Sequence, residues 1–100
     1  MTVREDPENN ELRALTNIAD LDGKNVLEVG CGDGRLTWRY ARKTASVVAI
    51  EPFEPSIQQA WKNMPGDLSD RVDLHHIGFE DFVHQHTSAS FDIVILSWSL

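Results

Sequence analysis

The chain carries a single cysteine, nine basic residues against sixteen acidic ones, and no apolar run approaching a membrane span. Each scarcity excludes something. A lone Cys31 cannot close an internal disulfide, which fits a reducing compartment. A spanning helix needs about 20 apolar residues, and the opening MTVREDPENNE has no signal-peptide core, so a soluble cytoplasmic protein with no membrane role is expected. The net charge of −7 argues against nucleic acid as a partner of this segment, because affinity for the phosphate backbone rests on Lys and Arg neutralising it. Repeats, linkers and low-complexity tracts are absent too, so residues 1–100 are expected to form one domain, with 1–7 as a mobile lead-in. A chain of this size buries only about 60–70% of its unfolded surface, which predicts a modest core.

What is present is ordinary for a globular protein: 41% hydrophobic and 25% charged residues. Leu12, Leu15, Ile18 and Ala19 recur at helical spacing, predicting an amphipathic helix over 8–19. β-branched, apolar runs predict strands over 25–30, 46–51, 71–77 and 91–98. The last contains the continuous apolar run Ile93 to Leu96, suited to burial on both faces. Between the strands, helices are predicted over 35–43 and 55–63, and a short helical or irregular piece over 79–86. Strands alternating with helices imply parallel β-α-β units with right-handed crossovers, an α/β fold.

The most informative stretch is Val26-Leu-Glu-Val-Gly-Cys-Gly-Asp-Gly-Arg-Leu-Thr37, a strand that breaks into three alternate glycines and resumes as a helix. Gly30, Gly32 and Gly34 are free to take positive φ, so the backbone can turn sharply and a ligand can lie against it, there meeting free backbone N–H groups. The spacing is G-x-G-x-G, not the G-x-G-x-x-G of dinucleotide-binding dehydrogenases. Glu51 closes the next strand 21 residues after Gly30, near the spacing of an acid that binds ribose hydroxyls. In an open parallel sheet such a site lies beyond the carboxyl ends of the strands where strand order reverses.

VLEVGCGDG followed by Glu51 resembles the class I S-adenosylmethionine-dependent methyltransferases, over about residues 12–100. The resemblance implies a Rossmann-like three-layer sandwich, a mostly parallel sheet with helices on both faces. Counted from Asn25, its four strands would lie in the order 3-2-1-4. S-adenosyl-L-methionine is the implied cofactor. The resemblance gives its methionine part to Gly30, Cys31, Gly32 and Gly34, and its ribose to Glu51. Glu28 would orient the loop or approach the cofactor's amino group. Around the adenine it places Pro52, the Phe79 N–H, and Glu80 or Asp81 in place of the family's usual aspartate, whose position Gly78 occupies. Phe53 is read as turn and core. Ser97 and Trp98 would border the transferred methyl.

No catalytic base is implied, since methyl transfer from a sulfonium needs chiefly proximity and in-line alignment. Cys31 is read as a small loop residue, not a nucleophile. His75-His76 and His84-x-His86 lack companions at ligand spacing, so no metal is expected. Trp38, Tyr40 and Trp61 are expected to pack against the sheet. In the family three further strands follow the fourth, so these residues read as a truncated N-terminal half acting on an undefined, small-molecule acceptor. The fourth strand would then be an open edge, at which a second copy could pair as a homodimer. Two other functions fit less of the pattern: a non-catalytic assembly module built on that edge, and a nicotinamide-dependent oxidoreductase fragment.

Overall fold

The computed structural model describes residues 2–5, 21–86 and 90–97. Five strands form one parallel sheet: β1 (Thr2–Glu5), β2 (Asn25–Val29), β3 (Ser46–Ile50), β4 (Val72–His75) and β5 (Ile93–Ser97). Their order is β1-β5-β2-β3-β4. The four strands predicted from sequence thus lie in the expected 3-2-1-4 arrangement, with β2 central between β3 and β5.

Among the described residues, three α-helices cross between them: α1 (Arg35–Tyr40), α2 (Glu54–Asn63) and α3 (Phe79–Gln85). A 3-10 turn over Ala41–Lys43 prolongs α1, and Arg71 donates to the carbonyls of Arg42 and Thr44 at 2.6 and 3.0 Å, capping that end. Alternation along the strands explains the layers. Val26, Val47, Ala49, Val72, Leu74, Ile93 and Ile95 point to one face and pack with Leu36, Tyr40, Ile57 and Ala60 of α1 and α2. Leu27 and Ile50 point to the other face and meet Phe82 of α3. Helices on both faces give the expected sandwich.

Two expectations change. Thr2–Glu5 is a strand, not a loose lead-in, and it pairs with β5 in the register Thr2↔Val94 to Glu5↔Ser97. The edge of the fourth predicted strand is therefore covered by this chain's own first residues, and the surface proposed for a second copy is not open here. A four-residue stretch of mixed polarity carries too little local signal for such a distant pairing to be predicted. The helix predicted over 8–19 and Trp98 lie outside the described residues.

Candidate functional site

The loop after β2 forms as its glycines predict. Gly30, Gly32 and Gly34 have φ of 80, 61 and 89°, a region that side-chain-bearing residues rarely adopt. Two of them are also fixed by crowding. A Cβ on Gly30 would collide with the Ser97 carbonyl oxygen at the end of β5, and one on Gly34 with the indole of Trp38 on α1. The loop is thus pressed into the crevice between β2 and β5, where the order of the sheet reverses, with Ser97 buried beside it.

Glu51 follows β3 and is only 6% exposed. Its Oε1 accepts the Gly32 N–H at 2.8 Å and its Oε2 accepts the Phe53 N–H at 3.0 Å. A carboxylate offers about four acceptor sites, so two charge-assisted bonds fix its plane and leave acceptor capacity for hydroxyl donors. The sequence placed Glu51 opposite the glycine loop, and the structure brings them into contact.

The loop amides differ from expectation. Gly30 and Cys31 both donate to the Ile50 carbonyl, at 2.9 and 3.1 Å, Gly34 donates to Cys31, and Gly32 donates to Glu51. These four N–H groups are consumed inside the protein, so a ligand meets glycine backbone and carboxylate there rather than free donors. The register of β2 on β3 puts the Ile50 carbonyl under the turn, which no local pattern reveals.

Glu28 lies inside the protein, one strand position short of the loop. It is fully buried on the face of β2 that meets α1, and its Oε1 accepts both the Thr37 and the Tyr40 hydroxyls at 2.6 Å. Burial beside this carboxylate holds the Tyr40 phenol well above its ordinary pKa. Thr37 and Tyr40, one helical turn apart, were missed as partners: their i, i+3 spacing is the signal, but it needs the phase of α1 to be read. Cys31 is buried in the same cluster as Tyr40. Burial, and then the charges of Glu28 and Glu51, push its thiol far up, which disfavours the thiolate.

Around the far end of the site, Phe53 is 61% exposed and Phe79 50%. Phe53 as a core residue is therefore corrected: it stands in the turn before α2, with its N–H on Glu51 and its ring exposed. Glu80 and Asp81 sit exposed in the first turn of α3. An open cleft of about 570 Å³ lies here, lined by Pro52, His75, His76, Gly78, Asp81 and His86 among others, with no wall from the glycine loop. Trp61 is also exposed, donating to the Leu74 carbonyl at 3.4 Å, and Trp38 is half-buried over Gly34. Among the described residues no three His, Cys, Asp or Glu are grouped to hold a metal ion, and no helix is long and apolar enough to cross a membrane.

The donor set fits a cationic adenosyl cofactor. Glu51 bonded to Gly32 and Glu28 on the strand before the loop, with Asp33 paired to Arg35 at 3.3 Å, surround the turn with carboxyl groups, a set that suits a cationic group better than a pyrophosphate. In the dinucleotide fingerprint counted from Gly32, the third glycine would stand where Thr37 bonds Glu28.

Comparison with known proteins agrees. A methyltransferase domain model matches residues 26–100. Ubiquinone biosynthesis O-methyltransferase of Aromatoleum aromaticum is 38% identical over 76% of this chain and 32% of its own length. Magnesium-protoporphyrin O-methyltransferase of Rhodobacter capsulatus is 35% identical over 74% of this chain and 34% of its own. An RNA methyltransferase from Salinibacter ruber, solved with S-adenosyl-L-homocysteine, superposes with a TM-score of 0.69 at 28% identity, over 91% of this chain and 58% of that one. The chain spans about a third of the length of these curated relatives. The glycine turn, the carboxylate locked onto it and the matched domain make one identification: this chain belongs to the class I S-adenosylmethionine-dependent methyltransferase family.

Proposed function

We propose that the chain forms the cofactor-holding part of an enzyme that transfers a methyl group from S-adenosyl-L-methionine to a small organic acceptor. The observation that carries the cofactor is the Glu51 carboxylate, oriented by the Gly32 and Phe53 amides beside a loop of positive-φ glycines. When bound, the cofactor supplies an electrophilic methyl on sulfur. Glu51 accepts the ribose hydroxyls, the loop from Gly30 to Gly34 lies along the methionine part, and Pro52, Phe53 and Phe79 offer apolar surface to the adenine. Ser97, buried at the end of β5, borders the methyl.

A small acceptor is supported by the net charge of −7 and by relatives named for ubiquinone biosynthesis and magnesium protoporphyrin. The free, buried Cys31 suits a reducing cytoplasm. Calorimetric and thermal titrations test the cofactor. A ligand at 100 times its Kd adds about 2.7 kcal/mol of stability, so S-adenosylhomocysteine is expected to raise Tm and NAD to leave it unchanged. No response to S-adenosylhomocysteine overturns the cofactor assignment, and methylation of RNA but not of small phenols by the full-length protein overturns the acceptor class.

A further inference from the structure

Pro52 and Phe53 are joined by one peptide group, and both of its polar atoms are gripped. Its N–H, from Phe53, is donated to Glu51 Oε2 at 3.0 Å. Its carbonyl, from Pro52, lies 3.0 Å from Nε2 of His76, on the segment leaving β4. A carbonyl only accepts, so this contact requires the proton on Nε2 of His76. Two backbone bonds run alongside, from Glu51 N–H to the His75 carbonyl and from Ile77 N–H to the Glu51 carbonyl, each 3.1 Å. They fix the Cα path of Glu51 but not the plane of the peptide that follows Pro52.

We propose that His76 is a positioning residue for Glu51, acting through the Pro52–Phe53 peptide. Turning that peptide plane over would remove the N–H from Oε2 and present the carbonyl oxygen to a carboxylate. His76 opposes the turn by holding the carbonyl on the opposite side. Donation from Nε2 also polarises the amide and strengthens its N–H toward Glu51, as in other chained hydrogen bonds. His76 is the cross-strand neighbour of Glu51 through those two backbone bonds, and the hydrogen bond of its side chain reaches the Glu51 carboxylate through one peptide group. The inference rests on the cofactor role given above to Glu51.

The test compares the wild-type chain with His76→Ala and His76→Gln, whose side-chain amide nitrogen is the same number of bonds from Cβ. Amide exchange of Phe53, read by NMR without ligand, is expected to rise about fivefold in His76→Ala, the factor a hydrogen bond of ordinary net strength contributes. Leu27, inside β2, should exchange as before. Affinity for S-adenosylhomocysteine should fall by a similar factor at constant Tm, and His76→Gln should recover both. Unchanged Phe53 exchange in His76→Ala overturns the proposal, and so does faster exchange with unchanged affinity. If the wild type binds no S-adenosylhomocysteine, the cofactor assignment fails instead, while the exchange comparison still decides whether His76 holds the peptide.

Discussion

Gly32 donates its backbone N–H to the buried carboxylate of Glu51 at 2.8 Å, so the glycine loop and the acid of the neighbouring strand form one hydrogen-bonded unit. Replacing Glu51 therefore removes two things together. Glu51→Ala strips partners from the Gly32 and Phe53 amides, and leaving such groups unsatisfied costs about 1–3 kcal/mol. Urea melts should show that loss, and calorimetry should show S-adenosylhomocysteine binding weakened by about tenfold or more. Unchanged affinity would take Glu51 out of the site.

Gly30→Ala tests the crevice. The substitution meets both the strain of a φ of 80° and the Ser97 carbonyl, whereas Gly23→Ala meets a φ of 70° with open space around it. A non-glycine residue in this region costs about 1–2 kcal/mol from backbone strain alone. Gly30→Ala should exceed Gly23→Ala in denaturant melts; equal losses would mean that β5 yields freely.

Tyr40→Phe and Thr37→Val each remove one hydroxyl from the same Glu28 oxygen. Each single loss is expected at about 1–3 kcal/mol, since the site is buried and the acceptor acidic. Because both donors share one acceptor, the double variant should depart from additivity, and a strictly additive double-mutant cycle would show that they act independently.

Alkaline pH should unfold the protein through Cys31 and Tyr40. Both groups are held protonated in the fold, above their ordinary values of 9.0 and 10.0. Above those values the unfolded chain releases protons that the folded chain keeps, so the derivative of stability with pH is negative. Stability should be flat with respect to these groups below pH 8 and fall beyond pH 9, by about 1.4 kcal/mol per pH unit for each group fully engaged. Cys31→Ala should move the onset toward pH 10, and an unmoved onset in urea melts across this range would discharge the thiol from the effect.

Much of this architecture was legible because its signals are local. Val26 to Gly34 announces a strand, a turn and a helix start through β-branching and glycine spacing alone, and Glu51 was found by its place at the end of the next strand. What escaped depends on how elements meet. Strand alternation already sets Glu28 on the same face as Val26, yet only the rotation of α1 brings Thr37 and Tyr40 over it. Phe53 looks like a core residue by type, but its position in the turn before α2 leaves its ring at the surface. The loop amides are consumed through the register of β2 on β3, and the partner of Thr2–Glu5 lies at the opposite end of the chain.

The seating of Gly30 against Ser97 has a consequence during synthesis. The glycine turn and its acidic partner emerge from the ribosome well before β5, yet the strand that backs the turn, pairing Val26 with Ile93, is translated last among the described elements. A nascent chain halted before residue 93 would leave the central strand with one flank bare, and long-range parallel pairing of this kind is slow to form. Capacity to hold the methyl donor is thus expected to arise abruptly once Ser97 has cleared the ribosome, rather than in step with the motif that names the family.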